Sequence, residues 1–222
     1  MHWLGRLVRA LLLLGLGYFI ACTLLLIAYR FIHPPLTMVQ AQRWVESWGA
    51  DEPYTFRYQP VDAETMALVA RQAAVASEDA RFYTHGGIDW IELERAREDA
   101  RQRGTAPRGA STITQQLVKN LFLTTHRSYL RKGLEVPLTY LAEFVLPKER
   151  ILTLYLNVVE WGPGVYGLDE AAAYHYSTSA RALSRDQAAR LVACLPAPRD
   201  RRPRDMSRTA ARIQTRMRQM GW

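Results

Sequence analysis

The chain has 222 residues, 49% of them hydrophobic and 23% charged, which suits a globular class with one sizeable core and excludes a disordered or fibrous one. Its net charge of +8 asks for an anionic partner, and nucleic acid, lipid head groups or a phosphorylated substrate would each serve. Zinc-finger spacing, the aromatic pattern of RNA-binding sheets and basic-region heptads are absent from the sequence, so nothing beyond charge speaks for nucleic acid.

Residues 10–29 form an uncharged apolar run of about twenty residues, enough to cross the roughly 30 Å hydrocarbon core as a helix. Arg6 and Arg9 precede it, and Arg30 and His33 follow. The excess of positive charge places residues 1–9 in the cytoplasm and the rest outside. A cleaved signal peptide is the competing reading, but the run is long for one and no small-x-small cleavage site follows. The run therefore reads as a single-pass anchor at residues 10–29, with a juxtamembrane linker at 30–60 and a domain at 61–222. Cys22 falls in the anchor and Cys194 in an apolar run of the domain, which excludes a disulfide within the domain and makes Cys194 a core residue.

Pro34 and Pro35 end the first helix. Helical spacing resumes between residues 37 and 48, where Met38, Val39, Trp44 and Val45 would lie either on the bilayer surface or against the domain. Asp62 is placed to cap a helix over residues 62–76, with Met66, Val69, Ala70, Ala73 and Ala76 as its apolar stripe. Gly86-Gly87 stops any helix that continues from there, leaving Glu78 near a helix end. Residues 90–103 read as a charged amphipathic helix, followed by a Gly/Pro loop to Gly109. Ser111 then caps a helix whose face carries Ile113, Leu117 and Leu121, while Thr112, Gln115, Gln116 and Lys119 take other faces. Arg127, Arg131 and Glu135 lie four apart on the next helix, and with Lys119 and Lys132 they gather four cations, a match for an anion. Pro137 should bend or restart that helix, and Pro147 fits the first turn of one that sends Ile151, Leu152, Leu154, Tyr155 and Val158 to the core. Gly162, Gly164 and Gly167 follow in a turn. No strand alternation stands out, so the domain is expected to be mainly α. The Arg-rich stretch at 199–204 reads as a solvated loop before an anionic lipid contact.

Four stretches together resemble a known family. They are Glu78-Asp79-x-x-Phe82-x-x-His85-x-Gly87-x-Asp89, then Gly109-x-Ser111-Thr112-Ile113-Thr114-Gln115-Gln116-x-x-Lys119-Asn120, then Arg131-Lys132-x-x-Glu135, and Lys148-x-x-Ile151-Leu152-x-x-Tyr155-Leu156-Asn157. They look like the motifs of the peptidoglycan glycosyltransferases, glycosyltransferase family 51, over roughly residues 60 to 220. The chain ends where bifunctional members would continue into a transpeptidase domain, so the resemblance is to the monofunctional ones. Departures from the pattern are Ala110, Ala142-Glu143, Ser177-Thr178 and Leu134, and none removes a charged group the motifs need.

The resemblance implies a lysozyme-like helical domain that polymerises lipid II into β-1,4-linked strands. The anomeric carbon inverts and undecaprenyl pyrophosphate leaves. Such a displacement needs a base for the acceptor hydroxyl and cations for the leaving group. The resemblance gives the catalytic positions to Glu78, as the base, and Glu135, which would orient cations or hold a divalent ion such as Mg or Mn. Substrate contacts fall to Asp79, Phe82, His85, Asp89, Ser111, Thr112, Gln115, Gln116 and Asn120, and pyrophosphate contacts to Lys119, Arg127, Arg131 and Lys132. The partners implied are lipid II, the growing strand and the bacterial inner membrane, with division or elongation proteins as candidates and no nucleic acid. A lysozyme-like hydrolase and a non-catalytic cell-wall scaffold are the alternatives. The first has no use for four clustered cations, and the second has none for two retained glutamates.

Overall fold

The computed structural model describes residues 2–49, 54–106, 109–126 and 128–222. An apolar helix, α1 (His2–Tyr29), opens the chain. At about 1.5 Å per residue it is some 42 Å long, and its mean hydropathy reaches 2.5, enough by length and composition to cross a membrane. It begins well before residue 10, because Arg6 and Arg9 continue the helix instead of capping it. Its last turns pack on the domain through Cys22, Leu26 and Tyr29. Tyr18 donates to the Phe122 carbonyl at 3.1 Å, and Arg150 holds the Tyr29 and Ile32 carbonyls at 2.7 and 2.6 Å. The end of the apolar helix is thus fastened to the domain by charged and polar bonds.

The linker settles partly on the domain. Thr37 caps α2 (Met38–Glu46) through a reciprocal capping box with Gln40. Val39 and Gln40 point inward, while Met38, Trp44 and Val45 are exposed. Gln42 pairs with Thr125 through both its amide atoms at 2.8 Å, so α2 is fixed to the loop that follows α5 (Ile113–Phe122). The linker also contributes a strand, β1 (Arg57–Tyr58), to a small sheet with β2 (Glu160–Gly162) and β3 (Val165–Tyr166) in the order β1-β3-β2. β1 runs parallel to β3, and β2 antiparallel to it with an irregular register at its glycine end. Strands of two and three residues carry no readable alternation, so the mainly α reading, which holds, did not single them out and took the glycines for a plain turn.

The helix expected over residues 62–76 divides. A 3-10 turn, Ala63–Thr65, comes first, and α3 (Leu68–Glu78) starts behind an extended Met66 and Ala67. Asp62 makes no cap and instead accepts from His33 at 3.0 Å. The small face of α3, Ala70, Ala73, Ala74 and Ala76, lets α9 (Arg185–Cys194) and α10 (Ser207–Gln219) approach closely, with Ala188, Ala189 and Met217 buried opposite. Beside this three-helix layer lies α7 (Lys148–Val158), whose residues from Ile151 to Val158 are all buried, flanked by α5, α6 (Tyr129–Val145) and α8 (Leu168–Tyr176). A helix apolar on every side belongs at the centre of a domain. Pro137 does not break α6, which runs through it on neighbouring hydrogen bonds, and Pro147 stands just outside α7 as its N-cap. Cys194 is buried and free, as expected of a core thiol. The fold is mainly α behind an apolar helix.

Gly164, at φ +72, joins β2 to β3 where a Cβ would come within 2.0 Å of the Thr55 carbonyl oxygen. Both the backbone region and the space require glycine. Gly164→Ala should therefore cost about 2 kcal/mol or more, lowering the melting temperature by roughly 4–8 °C in a detergent thermal scan. An unchanged melt would show that the sheet joining linker to domain adds no stability.

Candidate active site

α3 ends at Glu78, and the chain turns sharply at Asp79, whose φ of −161° and ψ of 73° take it out of the helix. The turn is held by Asp79 itself, only 6% exposed. Its Oδ1 and Oδ2 lie 2.9 and 3.0 Å from His85 Nε2, and Oδ2 also accepts from the Ile113 amide at 3.0 Å, at the start of α5. Gly87 N donates to His85 Nδ1 at 3.1 Å, so the proton on Nε2 faces Asp79 and the neutral imidazole satisfies both neighbours. The Gly87 carbonyl in turn accepts from Thr112 Oγ1 at 2.5 Å. One carboxylate thus ties together the end of α3, the Phe82–Thr84 turn and the N-terminus of α5.

That clamp sets Glu78 opposite α5. Gln116 Nε2 donates to Glu78 Oε2 at 3.0 Å, and Ser77 Oγ to Oε1 at 3.1 Å. Tyr155, fully buried on α7, donates its hydroxyl to Gln116 Oε1 at 3.1 Å. The tyrosine proton fixes which way the amide points, so Nε2 must face the carboxylate. Burial pushes the Glu78 carboxyl above the usual carboxylate range, against the lowering effect of the Gln116 and Ser77 bonds and of nearby Lys119, and Asp79 adds to the rise. Tyr155 read from the sequence as a core residue; it is that and the orienting group as well. No local signal marks the second role, because it depends on α5 and α7 lying side by side.

The cations meet at Glu135, which is 3% exposed on α6. Arg131 Nη1 donates to Glu135 Oε2 at 2.6 Å, and Lys132 Nζ bonds Oε1 and reaches Ser111 Oγ at 3.2 Å. Burial pushes the Lys119 ammonium down, while Glu135 holds it up. Lys119, Arg131, Lys132, Ser111 and Glu135 are therefore brought together. Arg127 lies outside the described residues.

Other predicted contacts spend their polar atoms on the protein. Thr112, not Ser111, caps α5, in a capping box with Gln115, so both are buried in helix closure. Asn120 donates to the Gln116 carbonyl at 2.7 Å. Phe82 is fully buried with Lys148 Nζ 4.6 Å above its ring. Asp89 caps α4 (Trp90–Arg103) and lies 3.1 Å from Arg81 Nε. Two cavities flank the bridge between Glu78 and Gln116. One, of about 290 Å³, has Glu78, Ser111, Arg81, Arg95 and Arg216 in its wall. The other, of about 320 Å³, has Gln116, Lys119, Asn120, Arg43 and Arg199. Arg43, Arg95 and Arg216 had no place among the expected site residues, since α2, α4 and α10 approach the cleft only in the folded chain; Arg81, on the turn after α3, was not among them either.

Asp79, His85 and Asp89 offer ligand atoms within 4.8 Å of one another. Every one of those atoms is already engaged: Asp79 by His85 and Ile113, His85 by Asp79 and Gly87, Asp89 by Glu92 N and Arg81. A divalent ion there would have to displace this clamp, and the oxygens of Glu135 are likewise taken by Arg131 and Lys132. Asp79, His85 and Asp89 are the residue types a divalent cation takes, with their ligand atoms here bonded within the protein.

A profile of the transglycosylase family matches residues 49–221. Among similar proteins is one from Chromohalobacter salexigens, named a biosynthetic peptidoglycan transglycosylase, 44% identical over 99% of this chain and 95% of its own length. One of the same name from Bordetella pertussis is 44% identical over 86% of this chain and 81% of its own, and one from Pseudomonas fluorescens 43% over 91% and 85%.

Neighbouring acidic residues should respond in opposite ways. Asp79→Ala strands two buried N–H donors and should cost about 3 kcal/mol, roughly 6–12 °C in melting temperature. Glu78→Gln relieves a desolvated charge and should leave the melt unchanged or raise it. Thermal scans of the two variants check this; equal losses would assign Glu78 a structural part.

Proposed function

The chain belongs to the transglycosylase family and is a peptidoglycan glycosyltransferase, and we propose that it polymerises lipid II. In this reading the acceptor's 4-hydroxyl oxygen bonds to the donor's anomeric carbon, the bond from that carbon to the pyrophosphate oxygen breaks, and the hydroxyl proton passes to Glu78. Undecaprenyl pyrophosphate leaves and the centre inverts. The observation that carries the reading is the pairing of a buried, basic carboxylate with a cation cluster on adjacent helices. A base with a raised pKa takes a proton near neutral pH, and preformed cations stabilise charge on the departing phosphate without reorganising.

Each cavity then has an occupant. The one holding Glu78 takes the acceptor, whose hydroxyl must reach the base. The one holding Lys119 takes the donor, whose pyrophosphate meets Lys119, Arg131 and Lys132. Glu135 keeps those side chains extended toward one point as a positioning group. α1 anchors the enzyme in the inner membrane with the domain on the periplasmic side, where a lipid-tethered substrate is at hand. Fastened to α1, the cation cluster on α6 lies close to where that lipid would emerge.

Lipid II in detergent, offered to the wild type and to Glu78→Gln, tests the reaction. Strands are expected from the wild type, with a fall of at least about a hundredfold for the variant, the usual worth of a general base. Strands from both would move the base elsewhere, and cleavage of preformed peptidoglycan without synthesis would hand the chain to a hydrolase.

Tyr155 supplies a separate check. The Gln116 bond holds the Glu78 carboxyl down against burial. Without the tyrosine hydroxyl the amide is free to turn its oxygen to Glu78, which favours the protonated acid. Activity requires the ionised form, so it is lost as pH falls through the folded pKa. In Tyr155→Phe the acid limb of the pH–rate profile should move to higher pH by up to about one unit, the worth of one hydrogen bond. A lower rate with an unmoved limb would reduce Tyr155 to packing.

A further inference from the structure

A third cavity, of about 520 Å³, lies outside the site described so far. Arg43 and Arg199 stand in its wall and also in that of the donor cavity, so the two adjoin across a pair of guanidinium groups. Its remaining wall comes from Glu46 and Ser47 at the end of α2, from Tyr54 and Thr55, and from the small sheet and α8, with the Glu46 carboxylate taken up by Arg43. The Arg57 guanidinium sits 5.8 Å over the ring of Tyr174, and Tyr174 is 45% exposed, leaving ring surface open to solvent. Arg43 bonds Glu46 at 2.8 Å, and its Nε is buried without a hydrogen-bond partner, 3.5 Å from Glu160. Arg57 and Arg199 have no carboxylate in ion-pair range among the described residues. An arginine with no carboxylate partner among the described residues, over an exposed aromatic ring and beside a second arginine, matches a chain that alternates sugar rings with carboxylate-bearing substituents: aromatic faces receive the apolar faces of sugars, and guanidinium groups take carboxylates two-pronged.

We propose that this cavity is a distal subsite for the strand already polymerised, with Tyr174 under a sugar ring and Arg57 and Arg199 on stem-peptide carboxylates. The inference rests on the lipid II polymerase reading, and it extends the donor path beyond the reacting sugar. It follows from the order of the cavities: the strand's reducing end is at Lys119, so its older sugars must leave through Arg43 and Arg199. A strand held there stays on the enzyme between additions, and the subsite sets strand length without touching the bond that forms.

The test uses the full chain in detergent with Arg57→Glu and Tyr174→Ala, and with Arg57→Lys as the conservative control. Joining two lipid II molecules should stay within about twofold of wild type, while mean strand length falls at least about threefold and Arg57→Lys keeps most of it. Purified octasaccharide strands bearing stem peptides should bind Arg57→Glu about tenfold more weakly than wild type, the worth of one charged hydrogen bond. Strands stripped of their peptides should bind both proteins alike. Unchanged strand lengths together with unchanged strand binding would overturn the subsite, as would an equal loss of the first coupling. A wild type that binds the strands yet makes none from lipid II would count against the polymerase reading instead, since the binding arm needs no turnover.

Discussion

A buried carboxylate must be answered by donors or it costs several kcal/mol, and Asp79 is answered by two segments that would otherwise be free to separate. His85 reaches it across the turn after α3, and the Ile113 amide reaches it from the first turn of α5. The helix N-terminus adds its own attraction for negative charge. Once α5 is fixed there, Gln116 comes one turn further along beside Glu78, and Lys119 one turn beyond that. The position of the reactive groups follows from the satisfaction of a group that does no chemistry itself.

This division of labour between adjacent residues explains which parts of the site were legible in the sequence. Glu78 and Asp79 are chemically alike and next to each other, yet Asp79 is spent on joining segments while Glu78 is held at the cleft by Gln116 and Ser77. The motif spacing locates both without telling them apart. The same holds in α5, where Thr112 and Gln115 close the helix and Gln116 and Lys119 face the cleft. A single step along the helix, from Gln115 to Gln116, decides between capping and contact, and Ser111 and Thr112 are both good caps by residue type. The fold class was readable because helical periodicity is strong in α4, α5 and α7. The strands were not, since two or three residues give no period, and of the two outcomes expected at Pro137 the restart does not occur, α6 running on through it. Tyr155 was found for its apolar spacing, and its hydroxyl gained a purpose only when α7 lay against α5.

The electrostatics of the cation cluster show why Glu135 belongs in it. Three cations with no counter-charge would repel one another and lower the ammonium pKa of Lys119 further than burial already does. Glu135 accepts from Arg131 and Lys132 and raises Lys119 toward its charged form. Three positive groups less one carboxylate leave a residual charge of +2 at one end of the cleft. That residual charge suits an anion and is small enough for the cluster to remain assembled on its own.

The same logic extends to the way the domain meets its anchor. α1 is bound to the domain by guanidinium and hydroxyl groups on backbone carbonyls at its last turns, and such bonds fix orientation more strictly than apolar packing alone. A soluble substrate would reach a cleft held at any angle. A substrate whose reacting phosphate is tied to lipid by a fixed length of chain reaches the cleft only if the cations sit at a set height above the bilayer. The bonds from Arg150 to the Tyr29 and Ile32 carbonyls fasten the end of α1 to α7, which further along carries the Tyr155 that orients the Glu78–Gln116 pair. The end of α1 and the Glu78–Gln116 pair are therefore joined through one helix, while the Asp79 clamp fixes α5 against α3. In the proposed polymerase, α7, buried from Ile151 to Val158, would couple the depth of the anchor to the position of the base.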